Sequence, residues 1–235
     1  MELVRYTRMA MIVSCMSLGV VTMTPGTALA GCKDSAAAEV DWSGCRKRNL
    51  ILSGYDMTSA NFNKTDFFGS DMRETKLSGA NLSRAVLTRA NASYSDLSNA
   101  DLSKVDGGRA VFQEVDLSNS TLEKAELFRV DFSNSKLVNA NLNKTEMGRA
   151  NFENSDLTGA QITFTNLARA NFSDAKLAGA DFQKSWTYLT QFEDVDLSQA
   201  LNLSQEQLEL ACGNAGTKLP AGLVAPEKWP CGSDD

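Results

Sequence analysis

The sequence predicts an all-β solenoid, a chain wound as a coil of short sides around one apolar core. Three observations predict it. An apolar residue recurs every five positions, without a slip, from Leu52 to Leu197. Of these thirty centres twenty-seven are Leu, Phe, Met or Ile, and the exceptions are Ala92, Gly107 and Thr187. The residue two before each centre is small: all twenty-eight from Ala60 to Val195 are Ala, Ser, Thr or Val. Like residues also recur at a spacing of twenty, as in Phe112, Phe132, Phe152, Phe172 and Phe192, or in the leucines from Leu77 to Leu197.

A five-residue step fits neither regular element. On a helix it rotates each apolar side chain by about 140°, so no single face forms. On a strand an odd step throws successive apolar residues onto opposite faces. It fits a coil in which each pentapeptide is one side and the chain turns a corner between sides. Every centre then points inward, as does every small residue near a corner. The other three residues of each repeat are mostly Asn, Asp, Ser, Lys, Arg and Gly, suited to turns and expected to face water. Gly107-Gly108 interrupts the pattern and is expected to be a thin spot or bulge.

Segments such as Ala80-Asn81-Leu82-Ser83-Arg84, Ala100-Asp101-Leu102-Ser103-Lys104 and Ala170-Asn171-Phe172-Ser173-Asp174 resemble the repeat unit of pentapeptide repeat proteins. The resemblance covers residues 50–200. It implies a right-handed quadrilateral β-helix with four pentapeptides per coil, which accounts for the twenty-residue columns. Thirty pentapeptides make about seven and a half coils, a rod about 36 Å long at about 4.8 Å per layer. One repeat cannot bury its own apolar face, so stability comes from stacking neighbours.

The flanks divide as 1–30, 31–49 and 201–235. Residues 1–30 read as an export signal, with Arg5 and Arg8 before an apolar run from Met9 to Val21 and a small-residue ending at Ala28-Leu29-Ala30. Leu29-Ala30-Gly31-Cys32 also resembles a bacterial lipobox, which would make Cys32 a lipid anchor. Localisation is therefore periplasmic or secreted, with a membrane-anchored lipoprotein as the alternative. Without residues 1–30 the cysteines left are Cys32, Cys45, Cys212 and Cys231, one pair before the rod and one after it. Export favours disulfides, and the rod's length favours local pairing, Cys32 with Cys45 and Cys212 with Cys231. Residues 31–49 form an N-terminal cap, with Trp42 placed to cover the first coil. Residues 201–235 form a C-terminal cap containing a short helix from Ser204 to Ala211. Ser204 and Gln207 make a capping box there, Leu203 and Leu208 a hydrophobic staple, and Gly213 the position just past its end.

The chain contains no histidine. That removes the commonest general base and metal ligand and excludes Ser-His-Asp and Cys-His machinery. No C-x-x-C pair and no phosphate-binding glycine loop is present. No catalytic residue, metal ligand or cofactor is assigned, and the chain is not expected to be an enzyme.

The surface carries what function there is. The chain has 23 basic and 29 acidic residues. Removing Arg5, Arg8 and Glu2 with residues 1–30 leaves 21 and 28, a net charge of −7. That charge is polarised. Arg89, Arg109, Arg129, Arg149 and Arg169 share one column, and Lys64, Arg84, Lys104, Lys124, Lys144 and Lys184 another. A third carries Glu74, Glu114, Asp174 and Asp194. Five guanidinium groups at the layer spacing repel by about 0.9 kcal/mol per neighbouring pair in water before screening. Asp106, Glu126 and Glu146, three residues before an Arg, are expected to neutralise them as a salt-bridge ladder. The competing expectation is that the Arg column is an anion-binding face. The chain reads as a non-catalytic structural or protein-interaction scaffold of the bacterial envelope. Its partner is an unknown protein or an anionic envelope component, and homodimerisation is a further expectation. Nucleic acid is not favoured. The alternative, implied by the resemblance, is a DNA-mimicking regulator of a nucleic-acid enzyme such as gyrase, against which stand the export signal and the two basic columns.

Overall fold

The computed structural model describes residues 31–231. Residues 1–30, which hold the expected export signal, and residues 232–235 lie outside them. Parallel bridges join residues twenty apart in one continuous ladder, from Asp41↔Asn61 to Asp181↔Leu201. Each coil is therefore four pentapeptides long, and each pentapeptide supplies one rung. The N–H of a centre donates to the carbonyl nineteen residues ahead, as Phe132 does to Asn151 at 2.7 Å. The N–H of the preceding residue donates to the carbonyl twenty-one behind, as Lys136 does to Val115 at 2.9 Å.

The corners explain the repeat. At most corners the N–H of the small residue closes a β-turn onto the carbonyl of the centre before it, as Ala140 does to Leu137 at 3.0 Å, while Val115 and Thr165 donate instead to the Ser135 and Ser185 hydroxyls. The residue before it adopts the left-handed conformation at every corner from Glu39 to Asp194. A positive φ here turns the chain through the corner of a square while both flanking sides stay in the ladder. It is tolerated by Gly and Asn, and disfavoured for other residues. Gly79 (φ 66°) and Asn139 (φ 56°) fit that preference, whereas Lys144 (φ 59°) and Phe164 (φ 55°) do not.

Where Asp or Asn precedes a centre, it does more than meet water. Its side-chain oxygen accepts the N–H two residues on, as Asp116 does from Ser118 at 2.9 Å and Asn171 from Ser173 at 3.0 Å. This bond satisfies a turn N–H that faces away from the ladder. Asn143 departs from the expectation of full exposure: it is half-buried, and its Oδ1 is buried without a partner.

The centres form the core in four columns. Phe112, Phe132, Phe152, Phe172 and Phe192 stack with ring centroids 5.4, 5.2, 4.7 and 5.6 Å apart. Buried hydroxyls at the small positions are satisfied: Ser120 donates to the Leu117 carbonyl and Thr145 to that of Leu142, both at 2.7 Å. Gly107 makes no bulge, since Asp106 pairs in register with Val86 and Glu126. The space its side chain leaves is taken by Leu127, whose Cδ2 lies 2.7 Å from where a Cβ would stand.

The ladder extends past 50–200 at both ends. At the front Lys47 occupies an interior centre. Its ammonium lies 3.4 Å from the Trp42 ring centroid and donates to the Cys32 carbonyl at 2.9 Å. Burial holds its pKa below the usual lysine range. At the back, helix α1 (Gln205–Leu210) replaces part of a side, with the Ser204–Gln207 capping box in place. The chain then leaves extended through Ala211, and Gly213 does not cap it. The ladder resumes at a longer spacing, Gln191↔Cys212 and Asp196↔Lys218. The Gln207 amide donates to the carbonyls of Phe182 and Ser185 at 2.8 and 2.9 Å, tying α1 to the last coil. Cys32–Cys45 and Cys212–Cys231 are bonded, with Cα atoms 5.5 and 5.4 Å apart.

Leu142→Asp buries a carboxylate in the core and is expected to cost about 4 kcal/mol or more. Lys144→Asn, two residues away, should be neutral or stabilising by up to about 1 kcal/mol, because Asn tolerates the left-handed corner. Equal melting temperatures for the two variants would contradict the assignment of inside and outside.

The corner carboxylates make the rod acid-sensitive in a defined direction. Asp56 is held below the usual range first by the Thr58 hydroxyl and then by its N–H. Asp196 is held at about 2, first by the Ser198 hydroxyl, then by its N–H and by Lys218. Because the folded pKa is depressed, this stability is present above the unfolded value of about 3.9 and disappears as pH falls through the folded one. Asp56→Asn with Asp196→Asn keeps an acceptor and removes the titration. Acid melting between about pH 4 and pH 2 should become shallower in that variant, and an unchanged acid limb would argue against these bonds.

The disulfides close separations of 13 and 19 residues, each contributing on the order of 3 kcal/mol in the chain-entropy model. Hydrogen exchange after reduction should rise first in the terminal coils, which have one stacking neighbour, and last around Leu97–Phe152. Uniform acceleration along the rod would show that the bonds do not act at the ends.

Candidate anion-binding face

The four corners present four kinds of surface, and their order is set by the chain. Each coil passes a Lys corner, one side, and then the Arg corner. In one coil the residues run Lys104, Val105, Asp106, Gly107, Gly108, Arg109. The side between the basic corners is the candidate face. Its next corner is acidic or polar, with Glu74, Tyr94 and Glu114, and the fourth is Asn or Gly, with Asn119, Asn139 and Gly159.

All five arginines of the predicted column lie exposed on one corner, on rungs joined by the ladder. Their φ values are 59° or 60° throughout. The fourth corner uses Asn and Gly, the residues such a backbone favours. The Arg corner holds the same backbone with side chains that disfavour it, at a generic cost of about 1–2 kcal/mol each.

The expected salt-bridge ladder does not form. Among the described residues none of the five guanidinium groups makes a salt bridge or a side-chain hydrogen bond. Asp106 instead accepts the Thr88 hydroxyl at 2.8 Å, and Glu146 accepts the Asn166 amide at 2.8 Å. Glu126 points outward beside them, exposed. The reason is geometric. The carboxylate starts the side and the Arg ends it, so up to about 10 Å of backbone separates them. On a helix the same spacing would bring them together. The Lys corner is partly engaged: Lys124 pairs with Glu123 at 2.8 Å, and Lys144 and Lys184 lie 6.0 and 5.3 Å from the Phe164 ring centroid.

Between the Arg corner and the acidic strip runs a column missing from the sequence reading, one residue after each centre. It contains Phe68, Thr88, Gly108, Phe128, Gly148, Ala168 and Tyr188. Phe128 is 47% exposed, and its ring covers Gly148, where an added Cβ would lie 2.9 Å from Cε2. The Arg129 guanidinium stands 5.4 Å from the Phe128 centroid. Phe68, Thr88, Arg89, Gly108, Arg109 and Phe128 line a shallow notch. At the far end Trp186 and Tyr188, both exposed, stack with centroids 6.4 Å apart. The signal in the sequence is a spacing of sixty between Phe68, Phe128 and Tyr188, three times the coil.

Cys32, Cys45, Cys212 and Cys231 sit at the two ends and take no part in this face. Among the described residues no group of His, Cys, Asp and Glu is arranged to hold a metal ion, and no helix is long and apolar enough to cross a membrane. The face can therefore attract anions and offer flat apolar surfaces.

Comparison with known proteins agrees with the repeat. A model described as pentapeptide repeat region matches residues 108–182 and 125–207, and one described as pentapeptide repeats (8 copies) matches residues 67–103. Among solved structures, the chain is similar to HetL, a pentapeptide repeat protein involved in heterocyst differentiation regulation from the cyanobacterium Nostoc sp. strain PCC 7120. The two are 22% identical over 80% of this chain and 86% of that one, with a TM-score of 0.44. Full-length QnrB1, a plasmid-mediated fluoroquinolone resistance protein, is 15% identical over 77% of this chain and 91% of that one, with a TM-score of 0.35. A pentapeptide repeat protein of the Arabidopsis thaliana thylakoid lumen is 24% identical over 53% of this chain and 82% of that one, with a TM-score of 0.29. No curated protein matches the sequence. The two repeat models, lying on the same pentapeptides that build the corners and the ladder, show that the chain belongs to the pentapeptide repeat proteins.

Proposed function

We propose that the protein is an exported, non-catalytic binding scaffold whose Arg-lined side holds an anionic partner. The observation that carries this is the Arg column itself: five exposed cations in line, on a backbone that disfavours them, without counter-ions among the described residues. The left-handed backbone is shared with Lys, Glu and Tyr at other corners; what sets this corner apart is that one cation recurs on five successive coils with its charge left unpaired among the described residues. A line of like charge raises the local concentration of anions and steers them to the face. Export rests on the sequence of residues 1–30 and is supported by the two disulfides, which persist in oxidising compartments. The basic columns speak against DNA mimicry, which needs negative charge along the rod.

The purified protein should be retained on an anionic matrix and elute with salt. Arg129→Gln with Arg149→Gln should elute at clearly lower salt, with its melting temperature unchanged or raised as repulsion is relieved. Elution of wild type and double variant together at low salt would end the proposal. Mass spectrometry of the mature N-terminus should find Gly31 first, and an intact or lipid-modified start would redirect the localisation.

A further inference from the structure

Deepening the proposed anion-binding role, the geometry points to a linear acidic polysaccharide as the partner, lying along the rod axis on the side between the Lys and Arg corners. The inference rests on three strips that run side by side along that side.

The first strip is the Arg corner, which meets one anionic group per coil. A carboxylate between neighbouring guanidinium groups receives charge-assisted hydrogen bonds from both. The second strip alternates aromatic and small residues. Phe68, Phe128 and Tyr188 recur every sixty residues, three coils or about 14 Å apart. Between them lie Thr88 and Gly108 in one interval, and Gly148 and Ala168 in the next. The column therefore rises at each ring and falls between rings. The first interval is the notch bounded by Phe68 and Phe128 and flanked by Arg89 and Arg109. In the second, beside Arg149 and Arg169, the Phe128 ring covers Gly148, and Ala168 is the low point before Tyr188. A flat ring with C–H groups on its face packs against such aromatics, and a chain of linked rings visits one platform after another.

The third strip separates the classes of polyanion. Asp106, Glu126 and Glu146 stand on the same side, a few residues from the arginines, with the Glu126 carboxylate accepting no hydrogen bond among the described residues. A carboxylate is an acceptor only, so it needs donors from the partner. A uronate polymer supplies both complements: carboxylates for the arginines and hydroxyl donors for the acidic strip. A nucleic-acid backbone brings phosphates, which the strip repels, and its binders present aromatics to successive bases rather than one per three coils. An anionic bilayer is flat and sets the same repulsion against the strip while reaching a corner one Arg wide.

The test uses the mature disulfide-bonded chain with polygalacturonate, alginate, neutral dextran and poly(dT), binding being followed by calorimetry and affinity electrophoresis. At least one uronate polymer should bind, dextran should not, and poly(dT) should bind more weakly than the uronate. Gly108→Leu with Ala168→Leu fills the low points of both intervals. A Cβ on Gly108 meets nothing closer than the Phe128 carbonyl oxygen at 3.9 Å, and its backbone lies outside the left-handed region, so the leucine is accommodated. This variant should lose uronate affinity by about tenfold or more while keeping its salt elution from a simple anionic matrix. Phe128→Ala, which cannot overpack, should weaken uronate binding in the same sense. Wild-type uronate affinity in the filled variant and in Phe128→Ala would overturn the inference and leave the broader anion-binding role standing. Tighter binding of poly(dT) than of either uronate would replace the polysaccharide with nucleic acid. No binding of any polyanion, together with no effect of Arg129→Gln and Arg149→Gln on matrix elution, would remove both.

Discussion

The left-handed corner is the constraint on which the rest of this structure depends. A chain that turns through a square must reverse its local twist once per side, and one residue in five does this with a positive φ. Everything else follows from holding that corner. The small residue after it must fit inside the bend, so Ala, Ser, Thr and Val occupy it. The Asp or Asn before the centre must satisfy the turn N–H that the ladder misses. The centre can then point inward, and the stacked coils bury it. Each corner is strained for most side chains, yet the ladder bonds above and below over-determine it.

Much of the fold was legible in the sequence, because a period of five admits few alternatives and a spacing of twenty counts the sides. The Phe112 column illustrates this: five phenylalanines at that spacing must share a wall, and their rings do stack. The role of Asp116 and Asn171 was not legible, since a residue that caps a turn looks the same in sequence as one that merely prefers water. Lys47 was hidden for the opposite reason. A charged residue at an interior centre breaks the apolar pattern, and only the Trp42 face and the Cys32 carbonyl make it acceptable there. The first coil therefore begins earlier than its apolar signature.

The candidate face was half visible. The Arg column could be read directly, because identical residues at a spacing of twenty must align. Its counter-ions could not. A three-residue separation implies proximity on a helix but spans most of one side here, and Asp106 and Glu146 turn to Thr88 and Asn166 instead. The aromatic strip was obscured because its period is three coils, longer than any window natural to a five-residue repeat. Its intervening Thr, Gly and Ala residues look like ordinary turn filler until the coil places them in line between Phe68, Phe128 and Tyr188.

The twenty-residue coil also fixes how such a molecule can change length. Inserting or removing one full turn leaves every column aligned, so a gene can lengthen or shorten the rod while keeping each surface facing its own direction. A gain or loss of five residues preserves the core equally well, because every pentapeptide is a valid side. It nevertheless rotates everything beyond that point by a quarter turn, splitting the basic edge into two lines on different corners. The fold alone would accept either change. A lineage that keeps its length in multiples of twenty would therefore be recording selection on the surface, while one that drifts by fives would be recording selection on stability alone.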